Sequence, residues 1–236
     1  MTSATPPVLQ ITGVSKKYSA LRPLRLQALS IAAGECVALS GLDGAATELL
    51  VNLVTGASVP DEGEVRVLGH STADIADGDA WLASLDRFGI VSDRAVLLEG
   101  STLAQNLAMP YTLEIDPVEP EMLERVTSLA AECGIEREWL SQPAAELPPA
   151  IRTRAHLARG IALSPSLLIV EHPTATLPQA DHAPLAALIR RIADARGMAT
   201  LIVTMDEKFG TAAADRTLTL APATGELRKV KKGWFA

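Results

Sequence analysis

The stretch LPPAIRTRAHLARGIALSPSLLIVEHPTATL, Leu147–Leu177, decides the fold. Pro148-Pro149 suit the first turn of a helix, because the missing N–H groups have no helical partner there. The helix predicted from them runs through Leu163. Ser166–Val170 is then a continuous apolar run ending at Glu171, and Ala199–Thr204 is a second such run. Short apolar runs alternating with helices read as parallel strands buried on both faces.

Working outward, Val8–Gly13, Leu26–Ile31 and Glu35–Ser40 read as strands. Gly41-Leu42-Asp43-Gly44 breaks the pattern, Glu48–Val54 resumes at helical spacing, and Gly56 stops it. Glu64–Leu68 and Phe88–Val91 are further strands. Leu97–Leu147 is expected to be mostly helical, with Met122, Val126, Leu129 and Cys133 on a 3–4 residue period. Strand, glycine loop, helix, helical insertion, then helix–strand–helix–strand predicts an α/β fold with a mostly parallel sheet. Ligands of such sheets bind beyond the carboxyl ends of the strands. The Gly41–Thr47 loop, Glu171-His172 and Met205-Asp206 all fall there.

The 236 residues correspond to one large domain, or to a core with a subdomain. The net charge of −7 argues against broad nucleic-acid binding, which needs a basic face. Aromatics make up only 3%, so Ala, Leu, Val and Ile must fill the core. No apolar run reaches the ~20 residues that span a bilayer, and MTSATPPVLQ lacks the pattern of a secretory signal. Cys36 and Cys133 read as buried, reduced thiols of a cytosolic protein. His70, His156, His172 and His182 lack metal-ligand spacing, so no metal site is expected.

From about Val8 to about Leu220 the layout resembles the nucleotide-binding subunit of ABC transporters, most closely the small single-domain subunits of bacterial transporters. Leu147–Leu177 is similar, without a gap, to that family's stretch from signature loop to D-loop. The resemblance implies a P-loop NTPase-like core with an N-terminal antiparallel β subdomain and a helical subdomain. One nucleotide-binding domain would span 1–236, with core 1–95 and 158–236 and helical part 96–157.

The family's motifs are mostly replaced. A phosphate loop reads G-x-x-x-x-G-K-[ST]; here it is Gly41-Leu42-Asp43-Gly44-Ala45-Ala46-Thr47-Glu48. Ala46 stands for the second glycine, Thr47 for the lysine and Glu48 for the magnesium hydroxyl. A carboxylate is favoured near its own helix start and repels phosphate, so Glu48 is expected to occupy the anion site itself. The rival readings make it a magnesium ligand or an ordinary helix-start acid. The Q-loop glutamine position is Asp93, which otherwise reads as a surface turn acid.

The L-S-G-G-Q signature is Leu147-Pro148-Pro149-Ala150-Ile151, which has lost a hydroxyl and two backbone donors; its other role is starting the following helix. Glu171 stands where the family has the Walker B aspartate. His172 replaces the general base and reads otherwise as an ordinary histidine. Pro178 takes the D-loop aspartate position, and Met205 that of the switch histidine. Tyr18 matches the aromatic residue that stacks on adenine, although packing alone also accounts for it. Arg228–Ala236 carries four basic residues and two terminal aromatics, suited to an anionic surface or acidic partner, or to solvent.

These readings imply a catalytically degenerate subunit with little or no ATP hydrolysis and weak Mg-ATP binding at most. It would pair with an intact paralogue or with itself, and sit on a transmembrane permease at the inner face of the cell membrane. A divergent but active Mg-ATPase using Glu48, Glu171 and His172, and a soluble scaffold without a transporter, are the alternatives.

Overall fold

The computed structural model describes residues 6–18 and 22–230. Its first part holds strands β1 (Leu9–Lys16), β2 (Leu24–Ile31) and β3 (Cys36–Ser40), helix α1 (Gly44–Val54), and strands β4 (Glu62–Val67) and β5 (His70–Ser71). Helix α2 (Gly78–Ser84) and strand β6 (Phe88–Val91) precede a mainly helical stretch, α3 (Leu103–Ala108), α4 (Pro120–Glu132) and α5 (Pro149–Ile161). Strand β7 (Leu167–Glu171), α6 (His182–Arg196), β8 (Ala199–Val203), α7 (Glu207–Ala213), β9 (Arg216–Ala221) and β10 (Glu226–Lys229) complete it.

Two sheets form. One is antiparallel, in the order β2-β1-β4-β5; the other has the order β10-β9-β3-β8-β7-β6. In the second sheet β9, β3, β8, β7 and β6 run parallel, and β10 pairs antiparallel with β9. The carboxyl ends of β3, β6, β7 and β8 therefore share one edge.

The wholly buried strands β3, β7 and β8 have apolar side chains on both faces, and alternation divides them between two cores. Val37, Leu39, Leu167, Ile169, Leu201 and Val203 face α1 and the antiparallel sheet. Cys36, Ala38, Leu168, Val170 and Ile202 face the opposite core, which contains α3 to α7. Cys36 and Cys133 are both buried and unpaired, and burial pushes each thiol up to about 12.

Several boundaries differ from the sequence reading. The helix expected at Glu48 begins at Gly44, because Asp43 caps it. Strand β1 extends past Gly13, whose φ of +60° accommodates a register shift against β4. Leu97–Leu147 is less helical than expected: α3 and α4 are its only α-helices, and prolines at 110, 117 and 143 keep much of the rest irregular. Helices α2 and α7 and the pairing of β9 with β10 were not foreseen. Of the basic–aromatic terminus Arg228–Ala236, residues 231–236 lie outside the described residues.

Helix α4 is fastened to α6 by a two-pronged ion pair. Arg196 Nε and Nη2 donate to Glu132 Oε1 and Oε2 at 2.7 and 2.6 Å, and Arg196 Nη1 caps the Ile161 carbonyl. These bonds hold the Glu132 carboxyl below its ordinary value of 4.5. A depressed folded-state value gives stability that is present above 4.5 and lost as pH falls through the folded value. Glu132→Gln should cost about 1–2 kcal/mol at pH 7, discounted for the pair's partial exposure. In urea titrations this difference from the parent chain should fade as the pH is taken down from 4.5 through the folded-state value.

Candidate functional site

The loop after β3 is built by its own side chains. Gly41 has φ +88°, and a Cβ there would lie 2.6 Å from the Leu220 carbonyl oxygen, so only glycine fits. Asp43 is the cap of α1: the Ala46 N–H donates to its Oδ1 at 2.8 Å. The Thr47 N–H and hydroxyl both donate to the Asp43 carbonyl, at 2.8 Å each.

Thr47 is fully buried, and its Oγ1 lies 3.1 Å from His172 Nε2. The single hydroxyl proton is committed to Asp43, so the threonine oxygen accepts from His172 Nε2–H. His172 is held with φ +42° just after β7, in a left-handed backbone that costs a non-glycine residue about 1 kcal/mol. Its N–H donates to the Val203 carbonyl.

The anion at the loop amides is therefore Asp43 rather than Glu48. Glu48 lies on α1 beyond its first turn, its side chain is 55% exposed, and its Oε1 is 3.1 Å from Arg94 Nη1. Arg94 also grips Glu171: Nη2 is 2.8 Å from Oε1 and 2.7 Å from Oε2, and the Glu171 side chain is 7% exposed. One guanidinium thus joins two carboxylates from α1 and β7.

Sequence reasoning missed Arg94. The only signal was a cation one residue past Asp93, the expected loop position. Asp93 itself lines a cavity of about 440 Å³ with Pro149, Arg152, Thr153 and His156. His156 there is buried, and burial lowers its pKa, followed by the nearby Arg159 charge.

Tyr18 does meet the loop. It lines a cavity of about 100 Å³ with Gly41, Asp43 and Ala46, well below the ~300 Å³ at which ligand pockets usually begin. Burial, then the Asp43 charge, raises its phenol pKa.

Pro148 caps α5 and Pro149 is its first residue, while Leu147, Ala150 and Ile151 pack on the core. The 147–151 loop therefore starts a helix, and two of its residues have no N–H to offer. Met205 is 65% exposed. Its neighbour Asp206 caps α7 and lies 2.8 Å from His182 Nδ1, and His182 Nε2 is 3.1 Å from the Leu177 carbonyl oxygen. Both ring nitrogens face oxygen atoms. His182 joins the segment after β7 to the end of β8.

A strand-to-helix loop at the carboxyl edge of a parallel sheet, beside an acidic strand end, is the architecture of the phosphate-loop class of proteins, here without the motif's lysine. The family follows from comparison. The sequence model of the ABC transporter family matches residues 24–175, and the chain belongs to that family. The lipoprotein-releasing system ATP-binding protein LolD of Chromohalobacter salexigens is 33% identical over 194 residues, 81% of this chain and 80% of that protein. The methionine import ATP-binding protein MetN of Brucella abortus (strain 2308) is 27% identical over 214 residues, 91% of this chain. The chain spans 57% of that relative's length. The dimeric structure of MJ0796, a bacterial ABC transporter cassette, superposes with TM-score 0.78 at 22% identity, covering 96% of this chain and 100% of that one. The α/β cassette fold, with a mainly parallel sheet and an N-terminal antiparallel sheet, is thus the family's.

Proposed function

We propose that this chain is a non-hydrolysing ATP-binding-cassette subunit of a membrane transporter. It pairs with an intact cassette or with a second copy of itself, and it supports a permease at the inner membrane face. The helical part, 96–157, is the subdomain that such a subunit carries beside its core. The names of the relatives, methionine import and lipoprotein release, support the transport role.

The observation that carries the non-hydrolysing reading is the Asp43 carboxylate bonded to the Ala46 N–H. A loop that uses its own anion on its own amide has that donor no longer free for phosphate. Thr47 in place of a lysine removes the cation, and the Arg94 grip on Glu171 disfavours magnesium at that carboxylate. Those same two features disfavour a divergent Mg-ATPase.

Calorimetric titration with Mg-ATP tests the reading, with Tyr18→Ala as control. The expected result is no saturable heat up to about 1 mM, which corresponds to less than ~4 kcal/mol of binding. Micromolar binding that Tyr18→Ala weakens would falsify the self-filled loop on which the reading rests, and phosphate release at the rate of an intact cassette would overturn the reading itself.

A further inference from the structure

We propose that Arg94 is a built-in latch. It fixes the start of the segment leading from β6 into the helical region, so that this junction is held by the chain's own charges and needs no ligand. The claim that no nucleotide competes for Glu171 rests on the function proposed above; the latch itself rests on the geometry.

Three elements meet at one guanidinium. Arg94 lies three residues beyond the end of β6. Its Nη2 is shared between both oxygens of Glu171 at the end of β7, and its Nη1 reaches Glu48 on α1. The planar fork suits this bridging, and arginine stays charged across the working pH range. The Glu171 carboxylate is nearly buried, and Arg94 supplies its opposite charge.

The backbone around the latch is ordered by short-range bonds. The Arg94 N–H donates to Ser92 Oγ, and the Ala95 N–H to the Ser92 carbonyl. Four residues on, a separate anchor takes over. Buried Asn106 accepts from the Leu98 N–H through Oδ1 at 2.8 Å and donates through Nδ2 to the Leu98 carbonyl. The segment is therefore pinned twice, by charge at Arg94 and by an amide side chain at Leu98, and the two pins are separable by mutation.

Hydrogen exchange of the whole chain, resolved to single amides and run with and without Mg-ATP, tests the latch. In Arg94→Ala and in Glu171→Gln the amides of Arg94 and Ala95 should exchange about tenfold faster, while the Leu98 amide keeps its rate. Glu48→Gln removes the more exposed partner and should give a rise of about two- to threefold. Arg94→Lys keeps the charge but not the fork, and should fall between the parent and Arg94→Ala. Unchanged exchange at 94 and 95 in both Arg94→Ala and Glu171→Gln overturns the latch. General unfolding of a variant would show itself as acceleration at Leu98 and in β7; Glu48→Gln then decides, and no rise in that variant overturns the latch as well. A change at 94 and 95 on adding Mg-ATP to the parent chain would overturn the claim that no nucleotide competes for Glu171, with the latch still judged by the variants.

Discussion

Phosphate release from Mg-ATP by the purified chain should run at least about 10³-fold slower than by a cassette with an intact loop, and Thr47→Lys alone should restore none of it. A positioned general base contributes about 10²–10⁴ in rate, and each charge-assisted hydrogen bond about 1.5–3 kcal/mol, or roughly 10–150-fold. On the proposed function both kinds of contribution are missing. His172, which the family resemblance puts at the position of the base, donates through Nε2 to Thr47 Oγ1, so that nitrogen is not free to take a proton from water. Thr47, which the same resemblance puts at the position of the lysine, is fully buried and bonded to the Asp43 carbonyl. A lysine introduced there enters a closed space against His172, with Asp43 still on the Ala46 amide and Arg94 still on Glu171. A phosphate-release assay on the parent, on Thr47→Lys and on the combined Asp43→Ser, Ala46→Gly, Thr47→Lys, Glu48→Ser and His172→Glu chain separates these terms. Turnover by the parent within tenfold of an intact cassette would sink the argument.

The parts of the fold legible in the sequence were those governed by local pattern. The apolar runs at Ser166–Val170 and Ala199–Thr204 contain β7 and β8 to within a residue or two, since a strand buried on both faces is apolar at nearly every position. Pro148-Pro149 located the start of α5 for the same kind of reason. The loop before α1 was legible as a loop, but its chemistry was not. Asp43 and Glu48 are both acids close to a helix start, and nothing in their spacing says which one turns back onto the amides. The extended backbone of Asp43, with φ −77° and ψ 178°, decides it. Arg94 was hidden for a deeper reason. Its partners are 46 and 77 residues away, and only the parallel arrangement of β3, β6 and β7 brings those strand ends together. Helix α7 is short and strand β10 is largely exposed, so neither carries enough periodic apolar sequence to stand out.

Gly89→Ala should unfold the chain or remove more than about 4 kcal/mol of stability, a loss reserved for severe overpacking. Gly89 lies in β6, where the strand runs against α5. A Cβ built there would overlap the Gly160 carbonyl oxygen and lie 2.9 Å from both Leu168 Cδ1 and Pro165 Cγ. Carbonyl and proline ring are fixed by backbone, so neither can swing aside as a long side chain would. Gly160 is close in its turn, since a Cβ there would be 3.1 Å from Val91 Cγ2 and 3.4 Å from the Ile90 carbonyl oxygen. The strand and helix thus approach through paired glycines, and one methyl group forces them apart. Gly100→Ala is the control, because a Cβ there meets nothing within 4 Å, and it should change stability by less than about 0.5 kcal/mol. Urea midpoints of soluble protein, or soluble yield where none survives, provide the measurement. A Gly89→Ala chain within 1 kcal/mol of the parent would refute the tight approach. The contact also bears on function: β6 leads directly to Arg94, and α5 begins at Pro149. Separating the strand from the helix would therefore move the latch and the 147–151 loop relative to each other. In this chain the spacing of the two segments is set by glycine packing in the core.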